Sequence, residues 1–420
     1  MPRYGGSAEF DFIGKRAVTL SGGVSAFATL PGWSYSRTGT RFSDASDGSL
    51  TSFGANIPRI TDKGLAVHSG ATNIIPRSSD IAGWTKVECT VTDGAIASII
   101  SGQLADKIVE GSGTVRPEMS ITAGVTTGNP YNYSGYFKAA ERDTFQLNYS
   151  GLVMGAFDLG AETATAAGDD AFFTNKVATI TALADGWYRC DVQCDCIQTI
   201  AGNPRIYINQ GIGSPASYTG DGASGLYADG VQITATSTVV PLIPTAGASA
   251  SATADVASLD LGLSGGLWTN VGNLDPSNGF TVLVEFVPGG DAASRNLALS
   301  LQTGIGNKRI QAGKKAGGGT NEEAAVYVQD TTDQAFLRHG AGTASVGATV
   351  KQAFRIAPND FASCVGGGAV LTDTSGTVPP VSSLIFGADL SSTLPAEGYV
   401  RRVVIIEGAV SDAQLQALST

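Results

Sequence analysis

The chain has 420 residues, more than one ordinary hydrophobic core organises, so two or three domains are expected. Its 55 glycines, abundant Ser, Thr and Ala, and charged fraction of only 15% describe a turn-rich all-β protein, while a hydrophobic fraction of 42% is enough for packed cores. A net charge of -11 argues against holding nucleic acid through its phosphates, which needs clustered Lys and Arg, and apolar runs such as Val282 to Val287 are too short to cross a bilayer.

The N-terminus, Met1-Pro2-Arg3-Tyr4-Gly5-Gly6, has no apolar signal core behind its basic residue, so synthesis in a cytoplasm without signal-directed export is expected. Residues 1–75 scatter Gly, Pro and Ser among short apolar groups such as Phe10-Asp11-Phe12 and Ile57-Pro58-Arg59-Ile60. With no helical period and too few apolar residues for a core, this segment reads as an N-terminal arm. It would lie either on its own domain or, as an attachment segment, on a larger assembly or on neighbouring subunits.

Over residues 76–240, strands recur at the spacing of a sandwich, including Tyr131 to Lys138, Thr144 to Tyr149, Lys176 to Thr181, Tyr188 to Cys196 and Arg205 to Ile208. Several alternate apolar with polar residues, as when one face is wet. In the fourth strand Tyr188, Cys190, Val192, Cys194 and Cys196 share one face and Arg189, Asp191, Gln193 and Asp195 the other. The spacing C-x3-C-x-C lacks a second ligand pair for a metal, so these thiols, with Cys89 and Cys364, are expected to be small buried hydrophobes. The prolines Pro241 and Pro244, followed by small residues, read as an extended connector over 235–254.

A second strand series fills 255–420, from Ser258-Leu259-Asp260-Leu261 through Phe280 to Phe286, Asn296 to Leu301, Ala324 to Val328 and Gln352 to Ala357 to Gly398–Glu407. Ser411 with Gln414 three residues on is a capping box, which predicts a short terminal helix. This piece is expected to fold alone.

Candidate chemistry is sparse. The carboxylates Asp158, Glu162, Asp169, Asp170, Asp191 and Asp195 sit in expected turns or on an expected wet face, which suits solvated residues better than a glycosidase pair. His68 and His339 are far apart in sequence, giving a Ser-His-Asp arrangement little support. The triple-glycine runs at Gly317 and Gly366 lack the Lys-Ser/Thr pair of a phosphate loop and read as hairpin turns. Sugar recognition uses aromatic faces with nearby amides and carboxylates. Tyr131 and Tyr133, with Tyr136 nearby, offer one platform, and Tyr218, Asp221 and Tyr227 around a Gly-rich turn offer another; packing in a core or interface is the competing role. Trp84, Trp187 and Trp268 are assigned to cores. The acidic turn from Asp221 to Asp229 offers oxygens to calcium but lacks a dense Asp/Asn ladder, so no cofactor is expected.

Three resemblances add to this reading. The ordered series Tyr35-Ser36-Arg37-Thr38-Gly39-Thr40-Arg41-Phe42, Asp47-Gly48, Ala55-Asn56-Ile57-Pro58-Arg59, Gly64-Leu65, Ala71-Thr72-Asn73 and Trp84-Thr85-Lys86 resembles the leader of bacteriophage head-spike and tail-fibre virion proteins. It continues through Gly186-Trp187-Tyr188-Arg189-Cys190 and Tyr218 to Tyr227. The strand order of the first half resembles the jelly-roll sandwiches of carbohydrate-binding modules. The final strand and helix resemble laminin-G and concanavalin A-like sandwiches. No short-period repeat points to a β-helical tailspike. The resemblances imply a non-enzymatic fibre or spike protein in a virion, assembled from identical chains with other virion proteins and binding host surface polysaccharide. A glycan depolymerase and a ligand-free decoration protein are the alternatives.

Overall fold

A computed structural model describes residues 7–18, 24–209, 217–261, 279–290, 296–303, 307–315, 322–388 and 397–420; Trp268 and the Gly317 run lie outside them. The protein is all-β and divides into two compact units, each a β-sandwich, and it ends in the α-helix Asp412–Ser419. No helix among the described residues is long and apolar enough to cross a membrane.

One unit comprises residues 38–54 and 71–252. Its eight-stranded sheet runs in the order Cys89–Ala97, Leu104–Glu110, Gly225–Thr234, Pro130–Ala139, Trp187–Cys196, Phe173–Ala182, and the short strands Ala71–Asn73 and Ala250–Ala252 extend it. A six-stranded sheet contains Thr144–Tyr149, Leu152–Asp158 and Pro204–Asn209. Phe137, Cys190, Val192 and Leu226 from the first meet Phe145, Leu147, Phe157 and Ile206 from the second in a shared core. All five cysteines of the chain are reduced and buried, as alternation along the strands required.

Part of the other face of the eight-stranded sheet is covered. A hairpin of Arg41–Asp44 and Leu50–Phe53, together with the segment around Leu242, lays Phe42, Leu50 and Leu242 on Tyr136, Trp187, Ile99 and Ile100. Asp191, expected in solvent, is therefore buried beside Asn132, and burial raises its carboxyl above the usual range. The proline-containing connector is likewise packed: Val240, Leu242 and Ile243 are buried, and Gln232 donates to the Val240 carbonyl at 2.9 Å.

The other unit comprises residues 1–37, 55–70 and 253–420. Its ten-stranded sheet contains Ser7–Asp11, Gly398–Glu407, Phe280–Val287, Val350–Ala357 and Asp360–Val365 as successive neighbours. Its seven-stranded sheet runs Thr332–Arg338, Glu323–Asp330, Lys308–Lys315, Asn296–Gln302, Ser383–Phe386, Val256–Asp260, Trp33–Ser36. Val282, Val284, Phe354 and Val403 pack against Leu259, Leu299, Val326 and Phe386 between them. The helix Asp412–Ser419 begins with the expected Ser411/Gln414 capping box and sets Leu415 and Leu418 on Leu283, Cys364 and Val404, outside the sandwich.

Among the described residues of the first 75, the strands have no separate core, in keeping with their composition, and they pair with the chain's own sheets. Ser7–Asp11 pairs with Gly398–Glu407, and Trp33–Ser36 pairs with Val256–Asp260. The division into 1–75, 76–240 and 255–420 accordingly differs from the two compact units, because these strands find hydrogen-bond partners more than 200 residues away in sequence.

Candidate functional site

The tyrosines expected as platforms take three different places. Tyr131 and Tyr133 point into the core, 6% and 2% exposed, where the Tyr131 hydroxyl accepts from the Thr126 amide at 2.9 Å and the Tyr133 hydroxyl donates to the Arg205 carbonyl at 3.2 Å. They have no face to offer a ligand. The strand face that Tyr131 and Tyr133 share is the one packed against the six-stranded sheet, so a shared strand face says nothing of exposure here.

Tyr218 and Asp221 belong to a polar network around Glu110. The Arg142 guanidinium binds the Glu110 carboxylate through two bonds, at 3.0 and 2.6 Å, the Tyr218 hydroxyl donates to it at 2.7 Å and the Asp221 amide at 3.0 Å. Burial raises the Glu110 carboxyl, but Arg142 and Tyr218 outweigh it and hold it below the usual range. The Asp221 carboxylate accepts the Ser224 hydroxyl at 2.6 Å and the Ser224 and Ala223 amides, which hold it well below the usual range. These bonds shape a turn. Asp229 lies in a separate network, and no cluster of three or more metal-ligating side chains occurs among the described residues.

Tyr227 lies in an open cleft of about 570 Å³ lined with Ile96, Ala97, Ser98, Lys138, Asp185 and Trp187. Strand register builds it: Tyr227 stands opposite Lys138, and Lys138 opposite Trp187, so the three form one row across three adjacent strands. Asp185 adds an exposed carboxylate from the tight turn before Trp187, where it adopts a left-handed backbone with φ of 55°. Ser98 is anchored from below by Asp229, which accepts its hydroxyl and the Gly230 amide. Burial pushes the Asp229 carboxyl up to about 6, with the Asp106 charge adding to it, against the lowering effect of those hydrogen bonds. The cleft thus offers a half-buried phenol face, an indole floor, an ammonium, a carboxylate and a hydroxyl. Sequence reasoning named Tyr227 but not Lys138, Ser98 or Asp185, which only the pairing of distant strands brings to it.

The carboxylates weighed as a hydrolytic pair have local partners: Asp158 accepts the Ala161 amide, Glu162 the Tyr188 hydroxyl, Asp170 pairs with Lys176, and Asp195 accepts from Asn175. His339 meets Ser363 at 2.9 Å, but both are buried, and His68 lies in the other histidine's unit within a different network, against Arg59.

No family model matches the chain, and no curated protein does. Among solved structures, the chain is similar to the CBM40 module of the Ruminococcus gnavus IT-sialidase, at 13% identity over 39% of this chain and 93% of that one, with a TM-score of 0.31. Domain 4 of AbnA, a GH43 extracellular arabinanase from Geobacillus stearothermophilus, matches at 16% identity over 40% of this chain and 73% of that one, with a TM-score of 0.28. Domains LG4-5 of the mouse laminin alpha1 chain match at 10% identity over 82% of this chain and 92% of that one, with a TM-score of 0.23. At such scores the residues of the site itself must carry any functional reading.

Proposed function

We propose that the chain is a fibre or spike protein of a phage or phage-like particle and that it binds host surface polysaccharide without cleaving it. The observation that carries the binding reading is the row Trp187, Lys138, Tyr227 in an open cleft, flanked by Ser98 and Asp185. A pyranose stacks its apolar face on such a ring, and the ammonium, carboxylate and hydroxyl match its alcohols. The virion role rests on the leader that resembles head-spike and tail-fibre proteins. The cleft is shallow, so each copy binds weakly, at affinities on the order of millimolar to high micromolar, which is about 4 to 6 kcal/mol. Many copies on one particle then make attachment effective.

The test is electrophoresis of the purified full chain through gels containing bacterial surface polysaccharides, followed by assay of the same mixtures for new reducing ends. Retardation by at least one polysaccharide with no reducing ends released supports the reading. Release of reducing ends replaces it with the depolymerase alternative, and absence of retardation across the panel favours a ligand-free decoration. Electron microscopy of particles carrying a labelled chain tests the virion role separately.

A further inference from the structure

A second hollow lies in the other unit, on the face of the seven-stranded sheet turned away from its core. Strand Lys308–Lys315 sends Ile310 and Ala312 inward, so Arg309, Gln311, Gly313 and Lys315 alternate onto the opposite face. The neighbouring strands bury Val326, Val328, Ala335 and Leu337 and present Ala325, Tyr327 and Phe336 on that same face. Register places Gln311, Tyr327 and Phe336 in one cross-strand row and Gly313 beside Ala325 in the next. The small residues of the second row leave a hollow of about 300 Å³. Only glycine fits at 313: its φ is 155°, and a Cβ there would come within 2.3 Å of the Asn296 carbonyl oxygen.

The hollow combines aromatic rings with positive charge. Tyr327 and Phe336 meet edge to face with centroids 5.9 Å apart, and Phe336 is 46% exposed. The Arg309 guanidinium lies 5.6 Å from the Tyr327 ring, and the Lys315 ammonium lies 4.4 Å from the Phe336 ring. Among the described residues no carboxylate forms an ion pair with either cation, and the buried Arg309 Nε meets no acceptor. Asp333, the one acidic residue of the lining, already accepts from the Tyr327 hydroxyl and from Gln329 at 3.4 Å. In a chain of net charge -11, Arg309 and Lys315, neither ion-paired among the described residues, stand beside two aromatic faces and form a local exception to a field that repels anions.

We propose that this hollow binds a sugar residue bearing a carboxylate, with its ring against Phe336 and Tyr327 and its carboxylate between Arg309 and Lys315. A neutral pyranose needs the rings but leaves the cations unpaired. An acidic one satisfies both, since guanidinium and carboxylate match in geometry as well as charge. The inference goes beyond the Tyr227 cleft and stands on residues of the other unit.

Calorimetric titration of the full chain tests it, using oligosaccharides that contain glucuronate, galacturonate or sialic acid and the same oligosaccharides with their carboxyl groups reduced to alcohols. At least one acidic form should bind about ten-fold more tightly than its reduced counterpart. Arg309→Gln and Phe336→Ala should each weaken that binding about ten-fold with the unfolding midpoint unchanged, whereas Tyr227→Ala leaves it intact. Absence of binding to every acidic form, equal binding of the reduced forms, or undiminished binding by folded Arg309→Gln would overturn the proposal. Loss of binding in Tyr227→Ala alone would assign the ligand to the other unit's cleft and overturn it equally.

Discussion

The Arg59 guanidinium binds the Asp255 carboxylate from 196 positions earlier in the chain, and both side chains are completely buried. Asp255 also accepts from Arg37 at 3.3 Å, from the Tyr35 hydroxyl and from the His68 amide at 2.9 Å, while Arg59 donates to His68 Nδ1 at 2.8 Å. Tyr35, Arg37 and Arg59 all come from the first 75 residues, so within this unit the network ties the first strands to the second half of the chain. Burial penalises the Arg59 charge, but Asp255 outweighs it and raises the guanidinium above its ordinary value.

Removing the shared carboxylate should therefore cost more than any single surface change. Asp255→Ala leaves two buried guanidinium groups without their common partner, which is expected to destabilise this unit by about 3 to 5 kcal/mol. Urea unfolding followed by tryptophan fluorescence and circular dichroism reads the loss. A shift below about 1 kcal/mol would show that the network is dispensable.

The same ties make the second half of the chain depend on the first. A fragment from Asp255 to Thr420 loses Ser7–Asp11 beside Gly398–Glu407, Trp33–Ser36 beside Val256–Asp260, and both arginines of Asp255. It is expected to be insoluble or to melt without a cooperative transition, contrary to what its complete strand series suggests. Scanning calorimetry of the fragment checks this, and a sharp transition like that of the full chain would refute it.

A pH effect follows from Asp229 beneath the Tyr227 cleft. Its carboxyl is pushed up to about 6 in the folded protein, above the value of about 3.9 expected for an unfolded chain. A carboxyl raised by folding stabilises the fold fully below its unfolded value, and that contribution is lost as pH rises from about 4 through about 6. The two-unit difference corresponds to about 3 kcal/mol. Asp229→Asn should lose this part of the pH dependence, so the difference in urea midpoint between wild type and variant should change between pH 4 and pH 7. A difference that stays constant would remove Asp229 as the source.

What was legible in the sequence is what local pattern controls. Alternation placed Cys190, Val192, Cys194 and Cys196 inside, and Ser411 with Gln414 started the terminal helix. What was not legible depended on partners distant in sequence. Asp191 looked wet because its strand alternates, but the hairpin holding Phe42 and the segment holding Leu242 cover that part of the sheet. Tyr131 and Tyr133 looked like a platform because two rings shared a face, and that face is the core. Nothing near Tyr227 in sequence announces Lys138, Ser98 or Asp185, because the register of separate strands assembles the cleft.

The most direct test of glycan binding is therefore a titration in which Tyr227→Ala and Tyr218→Ala are compared with the wild-type full chain, using oligosaccharides of a neutral polysaccharide that retards it. Tyr227 presents its ring to the cleft, whereas Tyr218 spends its hydroxyl on Glu110. The expected result is binding weakened about ten-fold or more by Tyr227→Ala, with an unchanged unfolding midpoint, and little change in affinity for Tyr218→Ala. Wild-type affinity in a well-folded Tyr227→Ala variant would contradict the account.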